Sequence, residues 1–365
     1  MDHLQEDEMI EIKGKYNTAE VFTDEIEKET HKQILEMCNL KELENSTIKI
    51  MPDCHAGKGC TIGTTIMMPD DTPINPFFVG VDIGCGVELM KLQGDFAFDQ
   101  LDDVIRKNIP FGFSVYNRQC AQAEEFVKKL NCFDQLKNKE HLYKSMGTLG
   151  GGNHFIEVAE NQDNERFLLI HSGSRNLGNQ VALIYGAAAN KEGFLNGELR
   201  DKYLQDMRMC QAFAEANRNS IGMEIIVRLD IQGSTECTTV HNYIEMNWDM
   251  ITLRKGAVSA WPDEKLVIPM NMRDGTILAK GKGNQNWNFS APHGAGRILS
   301  RSQAKKRLDV TEFEKEMNGI FTTCVSKDTL DEAPMAYKPM SQIIEHIGDT
   351  IEILDILKPV YNFKA

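Results

Sequence analysis

Glycine placement constrains this chain more than any other feature. Six glycine-containing junctions, CHAGKGC, VGVDIGCGVE, GTLGGGNHF, HSGSRNLG, AKGKGN and PHGAGR, each precede or follow an apolar run of strand length. Glycine at such a junction lets the backbone turn sharply and approach a ligand closely. A fold that satisfies all of them has to set several strand ends where only small residues fit.

The runs themselves read as short strands over 47–51, 61–68, 87–92, 155–159, 167–171, 266–270 and 276–279. Apolar residues recurring at three and four positions predict helices over 24–40, 118–130, 197–219, 302–317 and 340–357. The class is mixed α and β. No internal repeat and no Pro/Ser linker parts the chain, so residues 1–365 are expected to form one intertwined domain.

No apolar run reaches the length a membrane span requires, so no membrane association is expected. The first residues, MDHLQEDEMIEIKGKY, are acidic where a secretory signal would be basic and then apolar, and the expected location is the cytoplasm. The 9 cysteines are odd in number and lack a disulfide rhythm, as expected of thiols in a reducing compartment. A net charge of -14 excludes broad coating of nucleic acid by a basic surface and leaves room for a local basic cleft.

Asp82 and Cys85 (VDIGCG), His154 (GGNHF) and His171 (LLIHSGSR) lie in the glycine junctions, and His241 follows in CTTVHNYIEM. Carboxylate, thiolate and imidazole together suit divalent transition metals, and a thiolate can bridge two ions. The paired short cysteine spacing of a closed structural zinc site is missing. Taken singly, each has a plainer reading: Cys85 as a small buried hydrophobe, His241 as a half-buried residue on a helical pattern, Asp82 as a turn cap. In MPDCHAGKG, Asp53 reads as a turn residue after proline, and His55 as a neighbour of the site but no ligand.

The stretch RILSRSQAKKR, 297–307, concentrates five basic residues just beyond His293, and Arg175 follows His171 by four. In an acidic chain this is either a phosphate clamp or a solvated helix face. GKGN at 281–284 lacks the spacing of a P-loop. His293, within SAPHGAGR, can serve as a nucleophile on phosphorus, a general base or a further metal ligand, and spacing does not choose among them.

In one order the chain carries MPDCHAGKG, GVDIGCGVE, LGGGNHFIEV, HSGSRNLG, SAPHGAGRILSR and DEAPMAYK, and with these it resembles the RtcB family of RNA-splicing ligases. The resemblance implies an α+β fold, a single large mixed domain with a central metal cleft. It implies a GTP- and Mn²⁺-dependent ligase joining RNA 3′-phosphate or 2′,3′-cyclic phosphate ends to 5′-hydroxyl ends. Carried over, Asp82, Cys85, His154, His171 and His241 are expected to hold two manganese ions with Cys85 bridging, and His293 to become guanylylated. Asn153, Glu157, Asn242, Asn271, Tyr337 and Lys364 are expected at the nucleotide, with Asn271 standing where some members carry serine. Arg175, Lys255, Arg297 and Arg301 are expected at phosphates. An activating helper protein is a further expectation. The competing readings are a metal-dependent cyclic-phosphate phosphoesterase, which could dispense with a guanylylated histidine, and a noncatalytic RNA-end-binding protein.

Overall fold

The structure is a computed structural model that describes residues 9–189, 191, 193–247 and 249–364. Ala365 lies outside the described residues.

Two large sheets organise it. A six-stranded sheet runs β1 (Ile10–Lys13), β2 (Thr18–Val21), β3 (Thr47–His55), β4 (Ile62–Pro69), β10 (Met250–Lys255), β9 (Asn242–Asn247), with only β2 and β3 parallel. A seven-stranded antiparallel sheet runs β12 (Lys265–Asn271), β13 (Gly275–Gly281), β15 (Ile351–Lys364), β6 (Phe155–Glu160), β7 (Arg166–Ser172), β5 (Gly86–Gln93), β8 (Gln232–Val240). Its two edge strands come together, and Val267 N donates to Thr239 Oγ1 at 3.1 Å. The sheet therefore curls back on itself. The short pair β11 (Ala257–Ser259) and β14 (Ser290–Pro292) leads the chain to His293.

The two-residue period of the strands decides which side chains face inward. Val87, Leu89, Phe155, Ala159, Phe167, Leu169, Val267 and Leu357 form an apolar cluster on one face of the curled sheet. Met90, Leu92, Ile156, Val158, Leu168 and Ile170 take the other face, with Ile221, Ile225 and Leu229 of the long helix Gly197–Leu229. On the same alternation as the first face, Glu157, His171, Asn362 and Lys364 occur near one end of the sheet, where Phe155 pairs with both His171 and Lys364. A polar end thus caps an apolar interior.

The long helix also fixes the junctions. Arg218, fully buried, donates from Nη1 to Gly84 O and Ser172 O at 3.0 Å each. Asn217 accepts from the backbone of Gly147 and Thr148 and donates to Ser172 Oγ. The loops before β5 and β6 and after β7 are thereby tied to one rod.

Several expected elements need correction. The helix expected over 340–357 is the helix Met340–Ile347 followed by β15. IEILDIL reads equally as a strand; the helix ends at Gly348, and beyond it the Thr350 hydroxyl donates to Ser290 O at 2.7 Å. The helix expected over 302–317 is two, Arg301–Arg307 and Val310–Glu316, because Asp309 caps the second by accepting from Thr311 N at 2.8 Å. The helix expected to end at 219 continues to Leu229. The strand expected over 47–51 runs on to His55. Asp53 is therefore an extended strand residue, not a turn. His241 lies on no helix: it joins β8 to β9 and is buried.

Candidate metal centre and nucleotide site

Four chain segments meet at the polar end of the curled sheet. Cys85 precedes β5, His154 precedes β6, His171 closes β7 and His241 follows β8. Cys85 Sγ lies 3.5 Å from His154 Nε2 and 3.2 Å from His171 Nε2, and His171 Nε2 lies 3.4 Å from His241 Nε2. Asp82 Oδ2 stands 3.6 Å from His154 Nε2. Two triads result, Cys85 with His171 and His241, and Asp82 with Cys85 and His154, and in each the ligand atoms lie within 4.8 Å of one another. Cys85 belongs to both.

His171 Nδ1 sits 3.1 Å from Asn153 O, which assigns its proton to Nδ1, whereas His154 Nδ1 faces both Leu149 O at 2.8 Å and the Arg175 guanidinium at 3.2 Å. The Nε2 atoms of His154 and His171 both face the Cys85 sulfur, and that of His171 also faces His241 Nε2. Burial lowers the pKa of His171 and of His241, the neighbouring imidazoles adding to it, which keeps both rings neutral. Burial pushes the Cys85 thiol up, and the Asp82 carboxylate pushes it further. A cation at the centre reverses these penalties, and the donor set of imidazole, thiolate and carboxylate fits a divalent transition metal.

His293 stands beside the cluster, its ring 4.9 Å from that of His241. Its Nδ1 is 2.6 Å from Oδ2 of Asp53, a residue with no exposed surface, and the same oxygen accepts from His293 N and Gly294 N at 3.2 Å each. Asp53 therefore fixes the tautomer and the orientation of the ring and leaves Nε2 as the free lone pair. Two glycines make the approach possible: a Cβ on Gly296 would lie 2.4 Å from Asp53 O, and one on Gly256 would lie 3.2 Å from His293 Cε1, both at positive φ. The small residues around His293 are thus a steric requirement of its contact with β3.

A cavity of about 210 Å³ opens over His293, His171 and His241. Asn153, Glu157, Asn271, Arg297, Arg301, Tyr337 and Lys364 line it, seven of the residues expected at nucleotide or phosphate. Glu332, which the sequence reading passed over, holds four of them. It lies 3.0 Å from Lys364 Nζ, 3.2 Å from Arg301 Nη2 and 3.5 Å from Arg297 Nη1, and it accepts from the Tyr337 hydroxyl at 2.7 Å. Burial alone would raise its pKa, but the Lys364 and Arg301 charges hold the carboxyl below its ordinary value. Lys305 reaches Asp331 at 3.3 Å, so the basic run is neither a free clamp nor a wholly solvated face: three of its cations are paired to two buried acids.

Other expected residues lie elsewhere. Lys255 is buried and donates to the carbonyls of Phe77, at 3.1 Å, and Lys58, outside the cavity lining. Asn242 ties Asp82 O to Gly256 N and does not line the cavity. Arg175 lines a second cleft with Asp82 and His154, its Nε 3.3 Å from Thr148 Oγ1. His55, expected as a neighbour of the site but no ligand, lines the cavity over His293. For Asp53 there was a signal: a carboxylate between Pro52 and Cys54 in a strand that becomes buried has to find a partner.

The profile described as tRNA-splicing ligase RtcB matches residues 33–132 and 119–365. The RNA-splicing ligase RtcB of Escherichia coli K12 is 30% identical over 372–374 aligned residues, as is RtcB1 of another E. coli strain, each alignment covering 87% of this chain and 90% of the relative. The tRNA-splicing ligase RtcB of Nanoarchaeum equitans is 27% identical, with 87% of both chains covered.

Proposed function

The chain belongs to the RtcB family of RNA-splicing ligases, and from that premise we propose that it joins RNA ends through a guanylylated His293, with GTP as cosubstrate and two Mn²⁺ ions held by Asp82, Cys85, His154, His171 and His241. The observation that carries this reading is the His293 pair: Nδ1 bound to a fully buried carboxylate and Nε2 left free beside the cluster of candidate metal ligands.

His293 Nε2 attacks the α-phosphorus of GTP, the N–P bond forms as the bond to pyrophosphate breaks, and GMP stays on the ring. Asp53 keeps the Nδ1 proton hydrogen-bonded and stabilises the positive charge that develops on the imidazole. An RNA ending in a 2′,3′-cyclic phosphate is first opened by water to a 3′-phosphate. A 3′-phosphate oxygen then attacks the same phosphorus, the N–P bond breaks, and the RNA end carries GMP through a pyrophosphate linkage. Attack by a 5′-hydroxyl on the RNA-side phosphorus forms the phosphodiester and releases GMP. Bound Mn²⁺ supplies charge neutralisation and orientation of phosphoryl oxygens. Arg297, Arg301 and Lys364 line the cavity as cations already set in place by Glu332. A helper protein that speeds turnover is part of the same proposal.

The test is incubation with α-labelled GTP and Mn²⁺, followed by denaturation. Acid-labile label on the wild-type chain and none on His293→Ala is the expected result. A metal-loaded wild type that stays unlabelled yet opens cyclic phosphates would overturn the ligase mechanism in favour of a phosphoesterase.

A further inference from the structure

The metal-ligand cluster opens on a second side. A cleft of about 530 Å³ reaches Asp82, His154 and Arg175, none of which lines the cavity over His293. At this cleft stands Phe113, 101% exposed, the most exposed of the large apolar side chains among the described residues.

The loop that presents it is well anchored. Gly112 N donates to Gly150 O at 2.8 Å, Leu149 N to Pro110 O at 2.9 Å, and the Tyr116 hydroxyl to Asn108 O at 3.0 Å. Phe111, itself 37% exposed, meets Phe363 edge-on at 5.4 Å between ring centres. Gly112, at positive φ with open space around it, separates this packed ring from the fully exposed one. The phenyl group of Phe113 is therefore held in water, on a loop fastened to the segment that carries His154.

An aromatic face beside a guanidinium and small polar side chains is what a nucleotide requires, with the base on the ring and phosphate toward the arginine. Ser114, Ser145, Thr148 and Asn176 supply the polar wall. A protein-docking patch would instead gather several large apolar side chains around its centre. In this cleft Phe113 is accompanied only by Val115.

We infer that Phe113 is the stacking platform for the terminal base of an RNA end that enters the metal cluster from the Arg175 side. This rests on the reading that RNA ends are the substrate. Stacking on a bare phenyl ring is tolerant of base identity, so Phe113 contributes affinity without reading sequence.

The experiment measures binding of short labelled RNAs to the full chain with Mn²⁺, by fluorescence anisotropy. One set ends in a 3′-phosphate and the other begins with a 5′-hydroxyl, each with an intact or an abasic terminal nucleotide. Phe113→Ala is expected to weaken binding of intact RNA about tenfold in at least one set. In that set it should leave abasic RNA, already weaker, unchanged, and Phe113→Trp should restore affinity. The set that responds identifies the end. Equal affinity of wild type and Phe113→Ala for both intact RNAs would overturn the inference and leave Phe113 to a protein partner. An equal loss for intact and abasic RNA would also overturn it, since the loop rather than the stack would then be at work. If the wild type binds neither set, the RNA-end reading itself fails.

Discussion

Two of the polar clusters buried among the described residues are finished to different degrees. Around Arg254, which has no exposed surface, every contact closes: Nε donates to Ser290 Oγ at 2.8 Å, Nη1 to Tyr243 and Glu245, and Nη2 to Phe289 O at 3.2 Å. Trp261 Nε1 donates to the far oxygen of Glu245 at 3.0 Å. Around Cys85 the contacts are of another kind, with the Nε2 atoms of His154 and His171 facing the sulfur and that of His241 facing His171. The first cluster supplies its own counter-charge and holds the strand that leads to His293. The second gathers candidate metal ligands that a bound cation would draw together. Depth of burial therefore does not mark a functional site, whereas an uncompensated set of donors does.

Removing one member from each cluster should give opposite signatures, and the largest effect belongs to the unfinished one. Cys85→Ala is expected to lower ligation on the order of a thousandfold, ~4 kcal/mol, by removing the atom common to both triads. Bound manganese per chain, measured by elemental analysis, should fall with it, while stability of the metal-free protein should hold or rise. Full metal content in the variant would break the comparison. Arg254→Leu should act the other way. Leaving Glu245 without its cation is expected to cost about 3–5 kcal/mol in denaturant unfolding, and manganese uptake by the folded fraction should persist. A loss under ~1 kcal/mol would show that the closed network carries little.

The residues of the unfinished cluster were legible in the sequence because their type and setting are local. Asp82, Cys85, His154 and His171 each sit in a glycine junction beside an apolar run, and strand alternation then turns them toward one end of a sheet. Asp53 was read as a turn because its partner His293 lies 240 positions away, and no local pattern carries such a contact. Glu332 was missed for the same reason, as its cations come from 297, 301 and 364. The error at 340–357 has another cause. IEILDIL satisfies helix and strand spacing alike, and pairing with β13 and β6 decides the matter. Lys255 and Asn242 were expected from the family resemblance alone, and in the structure backbone groups of their own surroundings take up their side chains.

Glu157 tests an intermediate case, one buried acid whose hydrogen bonding is half complete. Asn362 Nδ2 donates to Oε2 at 2.6 Å, while Glu157 Oε1 and Asn362 Oδ1 are both buried without partners. Burial pushes its pKa from 4.5 up to about 8, against the pull of Lys364. The folded state thus holds a proton that the unfolded state gives up, so stability falls as pH rises from about 4.5 through about 8. Glu157→Gln has no proton to lose and brings a donor to the site. It should be more stable than wild type at pH 8 by on the order of 2 kcal/mol, the gap closing toward pH 5. Parallel stability profiles for the two proteins would show that Glu157 is ionised throughout.

The smallest effect is expected where the cation of the pair stands half in water. Arg301 reaches Asp331 at 3.0 Å and Glu332 at 3.2 Å, a geometry as good as that around Arg254, yet its side chain is 47% exposed. Solvent screens such a pair and side-chain entropy opposes it. Glu332 also keeps Lys364 when Arg301 is lost. Arg301→Met should therefore change unfolding free energy by less than ~1 kcal/mol, and what change there is should shrink further in high salt. Its consequence should appear in the nucleotide cavity it lines, as a raised KM for GTP in the labelling reaction. If Arg301→Met instead destabilised the chain as much as Arg254→Leu, burial would not be what separates the two arginines. The contrast between finished and unfinished clusters would then have to be sought in the number of partners alone.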